Sequence, residues 1–255
     1  MRFVFSFLLI LSSLQLAAQK TSTVNQPGGN VQRPKLVVGI MVDQMRWDYL
    51  YRFYDRYAAN GGFKRMLNQG MSCENAFINY APTVTACGHT TVYTGSVPAV
   101  HGITGNAWYD NELKRIVYCS EDKTVKTVGS TSNAGEMSPR NMLATTICDE
   151  LKLATKFRSK VIGIAIKDRG GILPAGHSAD AAYWYDGRTG NWITSTYYMS
   201  ELPKWVTTFN SKKHSNAFFE KGWNTLYPIN SYVQSSKDEN EYEAKPFGAD
   251  QKGFP

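Results

Sequence analysis

Residues 81–106 hold the groups best suited to chemistry. Pro82 restricts the backbone of the residue before it, and Thr85 opens a run of helical spacing that ends near Gly95, so the pattern predicts a helix with a threonine at its N-terminus. The first N–H groups of a helix have no intrahelical partners and carry partial positive charge, so an anion set against Thr85 would find donors ready. The ordinary role for a threonine in that place is an N-cap. Cys87, just beyond it, reads as a packing residue rather than a nucleophile.

Two more groups stand at the ends of apolar runs. Residues 36–42 (Leu-Val-Val-Gly-Ile-Met-Val) have the pattern of a strand buried on both faces of a parallel sheet, and the run ends in Asp43. Ligands of open α/β sheets bind beyond the carboxyl ends of the strands, which suits a carboxylate there; a cap for the helix that follows is the equal alternative. Residues 159–166 read as another buried strand, which leads into Lys167-Asp168-Arg169-Gly170-Gly171. Alternate side chains of an extended segment point together, so Lys167 and Arg169 would present two cations to one anion. Solvated loop charge is the plainer alternative.

The elements that must position these groups alternate between strand and helix. Residues 47–70 read as helical with a break at Gly61-Gly62, and residues 71–80 as a second strand. A hairpin is expected over 107–119, turning at Asp110-Asn111, followed by polar loop to residue 137. Pro139 at a first helical position predicts a helix from Ser138 to about Phe157. Residues 181–193 read as a hairpin around Asp186-Gly187, and residues 200–222 as short helices. His177 fits a loop or supporting position better than a ligand.

Bulk properties bound the class. The 255 residues are 42% hydrophobic, enough for a real core. Met1-Arg2, an apolar run over residues 3–11 and a small-residue end fit an export leader over residues 1–18, cut near Ala18. That run is shorter than the roughly 20 residues a spanning helix needs. Residues 19–34 make a flexible lead-in, and residues 35–255 the folded part. A periplasmic or secreted location follows. The net charge is +7, from 28 Lys and Arg against 21 Asp and Glu, and loss of Arg2 with the leader leaves 27 against 21, or +6. The excess is spread along the chain, which suits small anions and gives nucleic acid no motif to use. Cys73, Cys87, Cys119 and Cys148 match no zinc spacing and allow three disulfide pairings.

Together, Asp43-Gln44-Met45-Arg46, Pro82-Thr83-Val84-Thr85, Gly95-Ser96, His101-Gly102, Asn106 and Lys167-Asp168-Arg169 resemble the alkaline phosphatase superfamily, and within it the flavobacterial type of periplasmic monoesterase. The resemblance runs from about Lys35 past Trp223. It implies an α/β fold with a mostly parallel sheet flanked by helices and carrying hairpin insertions. It also implies hydrolysis of small-molecule phosphate monoesters through a phosphothreonine intermediate, with two Zn2+ in the complete enzyme. By that resemblance Asp43 ligates one zinc, and Thr85 is the nucleophile whose oxygen touches the same zinc. Thr85 is preferred to Thr83 because the family's nucleophile is the second threonine of the pattern. Asn106 donates its amide to a phosphoryl oxygen, and Lys167 and Arg169 hold the other oxygens and the leaving-group side.

The residue types suit that chemistry. A threonine hydroxyl is a poor nucleophile at its free pKa, and metal coordination is one of the few ways to activate it without an adjacent base. Phosphoryl transfer needs positioning and charge stabilisation more than covalent work, which an amide, an ammonium and a guanidinium provide. The relatives complete the two metals with an Asp-x-x-x-His pair, an Asp-His dipeptide and a distant histidine. Here His89, His101, His177 and His214 neither follow an aspartate directly nor lie four residues after one. The chain therefore reads as the N-terminal portion of such an enzyme. A nucleotide pyrophosphatase or phosphodiesterase of the same superfamily and an inactive phosphate-binding fragment are the alternatives.

Overall fold

The computed structural model describes residues 34–221, 224–236 and 242. The expected leader and nearly all of the lead-in lie outside the described residues. Residues 1–40 and 41–255 form two units, and the described part of the first, residues 34–40, is coil. The strand expected over residues 36–42 does not form, and its side chains are largely exposed, Leu36 at 78%. A strand buried on both faces needs hydrogen-bonded neighbours, and none of the described strands pairs with this run.

In the second unit the expected helix over 47–70 is broken into α1 (Tyr49–Arg52), a 3-10 turn (Tyr54–Arg56) and α2 (Gly62–Gln69). Tyr57, with an extended backbone, separates the last two. Residues 71–80 form no strand, and Met71 and Phe77 are exposed. Helix α3 (Thr85–Thr94) forms as expected and ends at Gly95, whose φ of 65° is the left-handed conformation that glycine adopts without steric cost. A short α4 (Pro98–His101) leads to the hairpin of β1 (Ala107–Asp110) and β2 (Arg115–Tyr118). Its turn is fastened by the Asp110 carboxylate, which accepts from the N–H groups of Glu112 and Leu113 at 2.9 and 2.8 Å.

The loop that follows contains β3 (Thr127–Val128). The helix expected from Ser138 starts later, as α5 (Ile147–Ala154). Thr146 accepts from the Asp149 N–H while the Asp149 carboxylate accepts from the Thr146 N–H, and this capping box overrides the weaker proline signal. Lys156 and Phe157, with φ of 51° and 57°, end it before Phe157.

Next come β4 (Ile162–Ile164), α6 (Asp168–Ala175), β5 (Ala181–Asp186), β6 (Asn191–Ser195), α7 (Lys204–Ser211) and α8 (His214–Lys221). The sheet has the order β3-β6-β5-β4 and is mixed. Only β4 and β5 run parallel, with Ile162 opposite Ala181 and Ile164 opposite Tyr183; β5–β6 and β6–β3 are antiparallel. The β5–β6 pairing is antiparallel because the two strands form a hairpin. Asp186 closes it, accepting from the Arg188 N–H and the Thr189 and Ser130 hydroxyls. β4 is not buried on both faces as expected: Ile162 and Ile164 are exposed.

Alternate residues of β5 serve two cores. Ala182 and Trp184 pack with Ile172 and Ile193, whereas Ala181 and Tyr183 pack with Val206 of α7. A third cluster joins Ala86, Ile103, Cys119, Met142 and Leu173, with Trp108 and Tyr118 against it, and so ties α3, the hairpin and α6 together. Gly163 lets α6 lie against β4, since a Cβ there would stand 2.1 Å from the Gly171 carbonyl oxygen.

Candidate active site

Val84, not Thr85, takes the N-cap position, with φ −74° and ψ 163°, and Thr85 is the first helical residue of α3. This frees its hydroxyl from capping, and Thr85 Oγ1 donates to Asp43 Oδ2 at 3.2 Å. Asp43 ends no strand and caps no helix, as α1 begins at Tyr49. It sits instead in a turn closed by the Met45 N–H on the Val42 carbonyl at 3.3 Å. Gln44 beside it has a φ of 59°, a left-handed conformation that costs a non-glycine residue about 1 kcal/mol. Strain of this kind collects where side-chain placement matters.

Asn106, just before β1, folds back onto the same helix end. Its Oδ1 accepts from the Ala86 N–H at 2.9 Å, so the carboxamide NH2 is the end left to meet an acceptor. One of the open helix N–H groups expected to face an anion is thus used to orient Asn106. Cys87 is buried, with its thiol near the carbonyls of Pro82, Val84 and Thr104, in keeping with a packing role.

Lys167 and Arg169 do not share an extended segment. Lys167 is extended, but it is the N-cap of α6, and Asp168 and Arg169 form the first helical turn. The strand-like course stops at Ile166, whose carbonyl still accepts from the Tyr185 N–H at 3.1 Å. Lys167 is exposed, and its ammonium has no hydrogen-bond or ion-pair partner among the described residues. Arg169 Nη1 donates to Tyr118 Oη at 2.9 Å, and the Tyr118 hydroxyl donates to Asp168 Oδ2 at 3.2 Å. Burial pushes the Asp168 carboxyl above its ordinary value against the pull of Tyr118 and Arg169; burial also raises the Tyr118 phenol, and the Asp168 charge adds to it.

His89 joins the two helices. It is buried on α3, one turn past Thr85, with Nε2 3.7 Å from Asp43 Oδ1 and its ring against Gly170. Burial lowers its pKa, Asp43 opposes the shift and Arg169 reinforces it. His177 lies elsewhere, beside Asp149, in a supporting role. Sequence reasoning missed Tyr118, Asp168 and His89 as parts of the site. The one available signal was Asp168 standing between two cations.

Asp43 and Thr85 present two oxygens 3.2 Å apart, a donor pair that suits one divalent cation. They do not close a site: among the described residues no three His, Cys, Asp or Glu side chains cluster to hold a metal, and zinc takes about four ligands. All four cysteines are free thiols.

Over 251 residues the chain is 58% identical to alkaline phosphatase PhoV of Synechococcus elongatus, covering 97% of this chain and 46% of that protein. Its structure matches the crystal structure of wild-type alkaline phosphatase PafA with a TM-score of 0.85 and 57% identity, covering 89% of this chain and 44% of PafA. It matches equally well, at TM-score 0.85 and 55% identity, a PafA variant substituted at a threonine, an asparagine, a lysine and an arginine. The chain thus spans less than half the length of these relatives. The family model for type I phosphodiesterase / nucleotide pyrophosphatase covers residues 37–248. The chain belongs to that family, within the alkaline phosphatase superfamily.

Proposed function

We propose that the protein carrying this chain is an exported phosphomonoesterase, and that this chain supplies the nucleophile half of its active site. The observation that supports it most is the Thr85 hydroxyl set on the Asp43 carboxylate at the start of α3, with the Asn106 amide fixed on the same helical turn. Thr85 Oγ1 loses its proton to solvent and attacks phosphorus, the ester oxygen leaves and takes up a proton from solvent, and water then cleaves the phosphothreonine P–O bond to release phosphate and restore the hydroxyl. Asp43 orients the hydroxyl through Oδ2. The Asn106 NH2 and the Lys167 and Arg169 side chains take up charge on the phosphoryl oxygens. A zinc ion held in part by Asp43 and Thr85 would lower the hydroxyl's pKa. The remaining donors for two zinc ions are assigned to the part of the relatives' length that this chain does not span.

The altered residues of the PafA variant are of the same types, in the same order and with the same spacing within each pair, as Thr85 and Asn106, and Lys167 and Arg169. Two cations suit the dianion of a monoester better than the single charge of a diester. Diester hydrolysis is the second reading, favoured by the description of the family.

The whole reading frame, assayed with p-nitrophenyl phosphate and with bis-p-nitrophenyl phosphate, separates these readings: the monoester should be turned over faster. Thr85→Ala should lower monoester turnover by at least about a thousandfold, the scale of losing a nucleophile. Retained turnover would place the nucleophile elsewhere.

A further inference from the structure

We infer that Tyr118 is a positioning residue for phosphate recognition, its hydroxyl locking the Arg169 guanidinium to the backbone that carries Asn106. The inference rests on the roles proposed above for Arg169 and Asn106. Tyr118 is the last residue of β2 and lies opposite Ala107, the residue after Asn106. The next residue, Cys119, donates its N–H to the Asn106 carbonyl at 3.0 Å. Tyr118 and Asn106 are thereby held in one hairpin register.

The tyrosine is itself immobilised. Its N–H donates to Glu121 Oε2 at 3.1 Å, its carbonyl accepts from Asn141 Nδ2 at 3.2 Å, and its ring packs on the cluster of Ala86, Ile103 and Leu173. An arginine on the first turn of a helix is otherwise free to sweep a wide arc. Here its Nη1 rests on Tyr118 Oη, which can accept from Arg169 because its own proton is committed to Asp168 Oδ2. The direction of the contact is fixed by the carboxylate between the two cations. The chain Asp168–Tyr118–Arg169 thus sets the guanidinium at a constant offset from the Asn106 amide, so that both can meet one phosphoryl group.

The test is a double-mutant cycle in the full-length protein with its metals bound. Tyr118→Phe keeps the ring and removes only the hydroxyl. It should lower kcat/KM for p-nitrophenyl phosphate about tenfold and weaken inhibition by inorganic phosphate by a similar factor, the scale of one hydrogen bond to a charged group. In an Arg169→Ala background the same change should alter neither quantity by more than about twofold. Equal losses in both backgrounds would overturn the inference. So would wild-type values for Tyr118→Phe beside an impaired Arg169→Ala, an outcome that leaves the proposed role of Arg169 standing. An Arg169→Ala protein with unchanged phosphate inhibition would instead remove the role on which the inference rests. Should Tyr118→Phe fail to fold, the same cycle is run in an Asp168→Asn background, where the carboxylate that would lose its donor carries no charge.

Discussion

Thr85 and Asp43 meet across 42 positions of chain, hydroxyl to carboxylate at 3.2 Å. The contact survives although the strand expected to deliver Asp43 is absent. The turn at Val42–Met45 places the carboxylate, and the N-terminus of α3 places the hydroxyl.

Those two oxygens alone make a poor zinc site. This 255-residue chain by itself is expected to bind zinc weakly and to hydrolyse p-nitrophenyl phosphate negligibly, and Asp43→Ala should remove what zinc affinity remains. Zinc titration by calorimetry checks the two affinities, and p-nitrophenolate release checks the turnover. Tight binding, or zinc-dependent turnover by this chain, would show that donors have been overlooked.

The two cations differ in how they are held, and their substitution should differ accordingly. Arg169 is braced by Tyr118, whereas the Lys167 side chain is exposed. In the full-length protein both Lys167→Ala and Arg169→Ala are expected to lower kcat/KM on the monoester more than on the diester, with Arg169→Ala the larger loss. Comparison of the two substrates on each variant measures this. Equal losses on both would detach the cations from the dianion's extra charge.

Local chemistry made part of the architecture readable in advance. Asp110 and Asp186 announced two hairpin turns, and the interval from Thr85 to Gly95 marked α3. Features that depend on distant partners were not readable. The runs over 36–42 and 71–80 look like strands because they are apolar, yet pairing is a long-range property, and no described strand takes them in. Ser138-Pro139 is a fair helix start until it competes with the reciprocal bonds of Thr146 and Asp149. For the candidate site, residue types singled out Asp43, Thr85, Lys167 and Arg169 and the family resemblance added Asn106, but neither pointed to Tyr118, which gains its contacts only when the hairpin register and the start of α6 meet.

His177 gives stability a pH dependence of definite sign. The Asp149 carboxylate, 3.7 Å from Nδ1, raises the histidine's pKa against the effect of burial. Burial alone would raise Asp149, but the nearby His177 ring and the N–H groups of Thr146 and Ser178 outweigh it and hold the carboxyl well below the usual range. Burial lifts Tyr197, whose hydroxyl donates to the His177 carbonyl, above its ordinary value. Between about pH 5.5 and 8.5 only the histidine titrates in this group. A raised folded pKa means that the contribution is complete below the unfolded value of about 6.5 and is lost as pH rises through the folded one. The difference in Tm between the wild-type chain and His177→Gln should therefore be largest at the acid end and shrink toward pH 8.5. A difference independent of pH would show that the histidine acts by packing alone.

Lys152 and Asp180 secure the start of the parallel pairing from which α6 springs. The buried Lys152 ammonium donates to Asp180 Oδ2 at 2.9 Å and to the Ser159 carbonyl at 3.1 Å, and the same carboxylate oxygen accepts from the Val161 N–H at 2.8 Å. Lys160 reaches Oδ1 at 3.0 Å from the exposed side. Burial would raise the Asp180 carboxyl, but Lys152, the Val161 N–H and Lys160 together bring it down to about 2. A depressed folded pKa places this contribution above the unfolded value near 3.9, to be lost as pH falls toward about 2. Lys152→Met keeps the aliphatic stem and deletes the charge, leaving Asp180 with Lys160 and one N–H. The expected cost is about 2 kcal/mol at pH 7, the range for a hydrogen bond to a charged group, measured by urea denaturation. Lys160→Met, at a solvent-facing pair, should cost about 0.5 kcal/mol or less. Equal losses for the two lysines would mean that burial adds nothing to the inner bond, and that the β4–β5 register is held by backbone pairing alone.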